Sequence, residues 1–457
     1  MTVAGLETVL DALAAGSDLP DEFPQRIAQA LPFLTVIGVA VPFDGNFQAA
    51  SAMATARLRR KQLSRLSLDV GAPPSTTAHR PCEIDGIRPA AVSIRKGDDN
   101  IEVSESVAAR RRIGIQSRSG IYGHELADTV ADLQFADSFV ELIEHSPAGL
   151  PPSLAGKMAV VRLDGNQFTR VRDAWIARDA DSLQAAASFS QKVIVARRQF
   201  LAGILAMAKD DTRMRTPGNK LRLETLMWGG DESLFVIPAW KVRDLLDVIA
   251  QDMVGDHWTL APGLRLTTSF AILVCSVKTP IAIASRLAES MLSGSKRLND
   301  TGTVEDRLSL QVIESIEAPA GDVDGLRKQL HNTDAPQAYT ISGGSGLRRY
   351  IDICDRITDP QSGLPRSQLQ GILARGRNGM ALVASGDPPV HPVDDAVRRS
   401  RAEQAGERKV GIEALIADLR DPILGAAAGF DYLPYQRLAE LWDVLRPFGH
   451  IAAVEAA

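Results

Sequence analysis

The four residues Gly229-Gly230-Asp231-Glu232 constrain the fold more than any other stretch of the chain. They stand between two segments that read as short strands, 221–228 and 233–238. Paired glycines accept the positive φ of a tight primed turn, so the segment predicts a β-hairpin. That turn lifts two carboxylates to a sheet edge, and the missing Cβ atoms let a ligand lie close to the backbone.

The surroundings extend the hairpin into a sheet. Residues 157–163 (Lys-Met-Ala-Val-Val-Arg-Leu) read as a strand, 177–209 as one or two alanine-rich helices and 239–254 as an amphipathic helix. Residues 264–276 read as a long strand, 280–297 as a helix opened by proline, and 308–313 as a final strand. This order predicts an α+β fold, an antiparallel sheet with helices on one face. Asp164 ends the first strand, so Asp164, Asp231 and Glu232 are expected to converge on one edge.

Composition narrows the chemistry. With 457 residues, 45% hydrophobic and 23% charged, the chain has the balance of a soluble globular protein of about two to four domains. Its N-terminus lacks the basic and then apolar pattern of a leader, and no run approaches the ~18 apolar residues of a membrane span, so a cytoplasmic location without membrane partners is expected. Cys82, Cys275 and Cys354 are odd in number and far apart, which excludes a disulfide framework or a four-cysteine zinc site. The seven histidines are scattered, and His124 and His257 have no partner pattern, so metal chemistry falls to carboxylates. A net charge of -5 argues against coating nucleic acid by bulk charge. The local basic stripes at Arg57–Arg65 and Arg110–Arg112 with Arg118 read as solvated helix faces. Trp228 and Trp240 read as core anchors rather than stacking platforms.

Three regions follow. Residues 1–150 form an N-terminal α/β domain, with a strand over 33–42 and a poorly structured loop insertion over 70–105 that is rich in glycine and proline. Residues 155–315 form the catalytic domain, and 320–457 form a helical C-terminal domain with helices over 346–357, 366–375, 394–419 and 432–445. Asp44-Gly45-Asn46-Phe47 echoes Asp164-Gly165-Asn166-Gln167-Phe168, which suggests a second, degenerate copy of the catalytic fold or a coincidence of turn residues.

The run from Asp164 with Phe168 four residues on, the Gly-Gly-Asp-Glu hairpin, and the segment 288–296 with its alanine, acid, leucine and Lys296 together resemble the GGDEF cyclases, whose catalytic fold is a ferredoxin-like palm. Within that superfamily the chain most resembles the palm-containing large subunit of type III CRISPR effector complexes, on Val277-Lys278-Thr279-Pro280 before the last helix and on the helical C-terminal region. The resemblance implies synthesis of a cyclic (oligo)adenylate second messenger from ATP in antiviral defence. Asp164, Asp231 and Glu232 would hold Mg²⁺ (or Mn²⁺), with Gly165, Phe168, Gly229, Gly230 and Lys296 around the nucleotide. CRISPR effector subunits and guide or target RNA are the partners it implies.

Departures limit it. Arg172 stands where diguanylate cyclases carry the asparagine that recognises guanine, which favours ATP; Glu232 replaces a common aspartate and Ser233 the signature phenylalanine. No His-Asp pair of the nuclease domain precedes residue 80, so DNA cutting is expected to be missing. A catalytically weak scaffold subunit and a stand-alone diguanylate or class III-like nucleotide cyclase are the alternatives.

Overall fold

The structure, a computed structural model, describes residues 37–64, 80–96, 99–126, 133–300 and 304–313 and shorter stretches between 323 and 446. It divides into two compact units: residues 1–131 with 172–189, and residues 132–171 with 190–457.

In the first unit, helix α1 (Phe47–Ser64) starts where Asn46 Oδ1 accepts the Ala49 N–H at 3.0 Å, an N-cap that satisfies an orphan donor of the first turn. The stretch 37–43 ahead of it is not a strand, and 33–36 lie outside the described residues. Its backbone bonds side chains instead of a ladder: the Gly38 and Ala40 carbonyls accept from Lys61 and Arg57 of α1, each at 3.1 Å. Asp44-Gly45-Asn46 is thus a helix-capping turn, with Gly45 at φ +94°. None of the α1 side chains is buried, so Arg57, Arg59, Arg60 and Lys61 lie on a solvated helix. Arg65 lies outside the described residues.

Within the expected loop insertion, an antiparallel hairpin forms from β1 (Val92–Lys96) and β2 (Asp99–Val103), and helix α2 (Glu105–Leu126) packs on β1. The glycines and prolines around it hide the short alternating run Val92-Ser93-Ile94, which is what a two-stranded pairing needs. Residues 70–79 of that insertion lie outside the described residues. Among the described residues the first unit contains this hairpin and no larger sheet, so the degenerate palm expected in 1–150 is not seen there.

The second unit is built on a six-stranded sheet. Helix α3 (Phe139–Ile143) leads to β3 (Lys157–Gly165), and two helices follow, α4 (Phe168–Ile176) and α5 (Ser182–Asp210), of which residues 172–176 and 182–189 count with the first unit. The hairpin strands are β4 (Glu224–Gly229) and β5 (Glu232–Pro238), then helix α6 (Val242–Val254). A short side pair, β6 (Thr259–Ala261) and β7 (Leu264–Arg265), precedes β8 (Thr268–Ser276), helix α7 (Ile281–Asp300), β9 (Arg307–Val312) and β10 (Tyr339–Thr340). The strand order is β10-β9-β8-β3-β5-β4.

Two features correct the expected antiparallel sheet with helices on one face. β9 runs parallel to β8, because α7 returns the chain to the same end of the sheet before β9 begins. Helices also lie on both faces. Alternation puts Met158, Val160, Arg162 and Asp164 on one face of β3, and the register adds Leu234 and Val236 of β5 and Ala271 and Leu273 of β8. α7 covers that face with Leu287, Ala288, Met291 and Leu292, each buried Leu or Met contributing about 1.5–3 kcal/mol. The opposite face carries Leu163, Phe235 and Phe270, and Phe200 of α5 meets Phe270 edge-on at 6.2 Å.

Behind the sheet, Arg222 is 2% exposed and donates to the carbonyls of Glu141, Leu142 and His145 at the end of α3, which meets the otherwise orphaned acceptors of that helix. The C-terminal helices α8 (Ser345–Thr358), α9 (Ile412–Leu419) and α10 (Leu433–Leu445) belong to the same unit as the sheet. α8 buries Leu347, Tyr350, Cys354 and Ile357 and pairs Asp355 with Arg243 of α6 at 2.6 Å. Residues 366–371 are helical, while 374–375 and 394–411 lie outside the described residues. No helix of the described residues is long and apolar enough to cross a membrane.

Candidate nucleotide and metal site

The hairpin turn sits where the sequence puts it. Gly229 pairs with Glu232, so Gly230 and Asp231 are the two turn residues, and Gly230 has φ +59°. Asp231 therefore stands one step past the end of the ladder. It reaches over β3, whose last residues are Asp164 and Gly165. A Cβ on Gly165 would lie 3.0 Å from the Asp231 Cβ and Oδ2, so the glycine leaves the room that Asp231 occupies.

The Asp164 and Asp231 carboxyls stand close enough for each to act on the other's charge. Burial pushes the Asp231 carboxyl up to about 6, and the Asp164 charge pushes it the same way, against a smaller pull from Lys296. Lys296, from α7, forms an ion pair with the Asp164 carboxylate. Two acids and one lysine from three elements are thus in one place.

Glu232 is placed differently. It turns towards Arg162 of β3, with 3.9 Å between Nη2 and Oε2, and Arg162 also pairs with Glu289 of α7. Among the described residues no group of three His, Cys, Asp or Glu side chains is arranged to hold a metal ion. Two carboxylates remain, and they fit Mg²⁺, a hard cation that commonly takes one or two protein carboxylates and completes its shell with substrate oxygens and water.

A partly open apolar recess lies beside the pair, with Gly165 and Asp231 in its wall. The register explains its floor. Leu163, Ser233 and Trp228 are cross-strand neighbours on the face opposite Asp164, and a bulge between Thr225 and Met227 sets the position of Trp228. Phe168 of α4 and Val193, Arg197 and Phe200 of α5 close the other side, while Trp258 lines it from the turn after α6. The Arg197 guanidinium lies 5.2 Å from the centroid of the Trp228 ring. Trp228 thus lines a cavity, whereas Trp240, expected to behave alike, is buried at 5% exposure.

The supports of the site carry weak sequence signals. Asn166, 2% exposed, donates through Nδ2 to the Glu305 carbonyl at 3.0 Å, and its Oδ1 accepts from Ser269 Oγ at 2.7 Å. Gln167 then takes φ +49°, a strained value for a non-glycine residue, before Phe168 starts α4. Asp306, 2% exposed, accepts the Thr268 N–H at 2.7 Å. Together these two buried polar residues fix the strand ends that carry Asp164. Trp258 is held by Asp252, which accepts its indole N–H at 2.7 Å and lies 3.0 Å from His257 Nε2, so His257 does have a partner. Arg172 donates twice to its neighbour Asp173.

The arrangement has the parts for phosphoryl chemistry: oxygen donors for a divalent cation, a lysine for phosphate charge, and an apolar recess with aromatic walls. Compared with known proteins, the chain matches no family model and no curated protein.

Proposed function

We propose that this chain is a palm-type nucleotidyltransferase that makes a cyclic (oligo)adenylate from ATP with Mg²⁺ or Mn²⁺. The observation that carries the reading is the meeting of Asp164, Asp231 and Lys296 at one sheet edge, with Asp231 also in the wall of an apolar recess. Phosphoryl transfer asks little covalent chemistry of a protein; it asks for positioning and for neutralised charge.

The roles divide by element. Asp164 and Asp231 would hold the metal, and Glu232, expected with them, turns to Arg162 instead. The ion, when bound, neutralises triphosphate charge and makes the attacking hydroxyl easier to ionise. Lys296 exchanges Asp164 for phosphate oxygens when a triphosphate arrives, because an ammonium is a mobile point charge on a flexible stem. Phe168, Phe200 and Trp228, with Arg197 against the indole, take the flat base, and Gly165 leaves room for Asp231 at the strand end. In the step itself a ribose hydroxyl oxygen bonds to the α-phosphorus as the bond to pyrophosphate breaks, and the hydroxyl proton passes to solvent. The cavity wall offers few polar groups, with Ser233, Thr267 and Thr268 hydroxyls among them, so base choice rests on shape and stacking.

The test is incubation of purified protein with labelled ATP or GTP and Mg²⁺ or Mn²⁺, with and without RNA, followed by separation of products. Cyclic adenylates that vanish in the Asp164→Asn variant support the reading; guanylates support the stand-alone cyclase instead. A second reading, a catalytically weak scaffold subunit within an RNA-guided CRISPR complex, is favoured by one observation, the lack of a third carboxylate beside Asp164 and Asp231 among the described residues. Binding of nucleotide with no turnover, even with RNA present, selects it.

A further inference from the structure

We propose that Arg162 is a positioning residue that holds Glu232 away from the acidic pair, so that the metal clamp consists of Asp164 and Asp231 alone. The inference rests on the nucleotidyl-transfer reading of the same site. It starts from alternation along β3: Arg162 and Asp164 are two residues apart, so they share the face covered by α7. Glu289 and Lys296 on α7 are seven residues apart, two turns of helix, and so project from one side of it. The strand offers a cation then an anion; the helix offers an anion then a cation. Glu289 pairs with Arg162 and Lys296 with Asp164.

Glu232 has to fit into this pattern from β5. It is two residues from Leu234, which is the cross-strand partner of Arg162, so its side chain rises on the same face as the guanidinium. Arg162 is 17% exposed, and its buried Nε has no hydrogen-bond partner, so the guanidinium has lost water and gains from every nearby anion. Two acids, Glu232 and Glu289, share it. Asp231 is differently placed, in the turn and against Gly165, so only the first acid of the hairpin reaches Asp164.

A titration of the full chain with Mn²⁺ alone, followed by the loss of the free-ion signal in electron paramagnetic resonance, tests this without asking for turnover. Asp164→Asn and Asp231→Asn should each weaken binding at least about tenfold. Glu232→Gln should change it by less than about twofold, the effect of an exposed charge. Arg162→Met releases Glu232 and should tighten binding several-fold; Arg162→Met with Glu232→Gln should lose that gain, and Arg162→Lys, which keeps the charge, should stay near the parent. The double variant controls for a structural role, since damage to the fold is not reversed by a second substitution. If Glu232→Gln weakens Mn²⁺ as much as Asp231→Asn does, or if Arg162→Met leaves affinity unchanged, Arg162 does not position Glu232, and the nucleotidyl-transfer reading still stands. If the parent chain binds no Mn²⁺ and makes no product with ATP, both fall.

Discussion

Two aspartates in the same unit, Asp211 and Asp231, are both partly buried, and their carboxyls move in opposite directions. At Asp211 burial works against the charge, but the Arg213 guanidinium at 2.8 Å and the Lys241 ammonium at 2.8 Å outweigh it and hold the carboxyl well below the usual range. At Asp231 burial also works against the charge, and what faces it is another carboxylate, so the carboxyl rises to about 6. The first is a satisfied charge that ties the turn before β4 to the start of α6. The second is a frustrated one. Electrostatic frustration of this kind, in the wall of a recess and beside a lysine, is what the proposed metal site would account for.

Breaking the satisfied pair should give the largest loss of stability. Asp211→Ala leaves Lys241, 5% exposed, with Asp244 as its remaining carboxylate, and should cost about 3 kcal/mol, measured by urea unfolding. The rate per folded molecule should stay within a few-fold. Asp231→Asn should do the reverse: product formation falls about 10²–10³-fold, some 3–4 kcal/mol on the barrier, while the protein stays folded. If the two variants behave alike, the contrast between them is empty.

The contrast was half visible in the amino-acid order. Strands β3, β5 and β8 are legible because Met158–Leu163, Leu234–Ile237 and Phe270–Val274 are largely apolar runs of strand length, β9 because Leu308–Val312 alternates apolar and polar residues, and the paired glycines name the turn between β4 and β5. Asp164 and Asp231 follow from that frame, whereas Lys296 comes from the resemblance of 288–296 to the cyclases. What was not legible depends on register and on partners distant in sequence. Nothing local to Arg162 says that it faces Glu289, and nothing local to Asn166 distinguishes it from Asn46; yet one Asn links strand ends across 139 residues to the Glu305 carbonyl and the other caps its own helix. The parallel pairing of β8 with β9 is equally silent, since a strand sequence does not state its direction.

A smaller effect sharpens the claim that geometry, not charge alone, makes the pair. In Gly165→Ala the new Cβ meets Asp231 at 3.0 Å and Phe168 Cδ2 at 3.4 Å. The turn has to shift by a few tenths of an ångström, and stability should fall by about 1 kcal/mol. Turnover should fall about tenfold, because displaced reacting groups are penalised more than the fold is. A change in stability without a change in rate would separate Gly165 from the site.

The smallest effect tests the frustration itself, through pH. An aspartate whose folded carboxyl sits near 6, above its unfolded value near 3.8, makes the folded state the better proton binder between those values. Its contribution to stability is therefore full below about 3.8 and is lost as pH rises through about 6, so at neutral pH the ionised pair strains the fold. Asp211 has the opposite sign: its contribution is present above the ordinary carboxylate range and lost in acid. Asp231→Asn removes the strain and should stabilise the chain at pH 8 by about 1 kcal/mol, a figure discounted for solvent screening because the group is only half-buried. The gain should shrink as pH falls through 6 and be gone near pH 4, as paired urea titrations of parent and variant can read. An Asp231→Asn chain less stable than its parent at pH 8 would mean that Asp231 is held by partners as Asp211 is, and the argument from frustration to ligand would lose its footing.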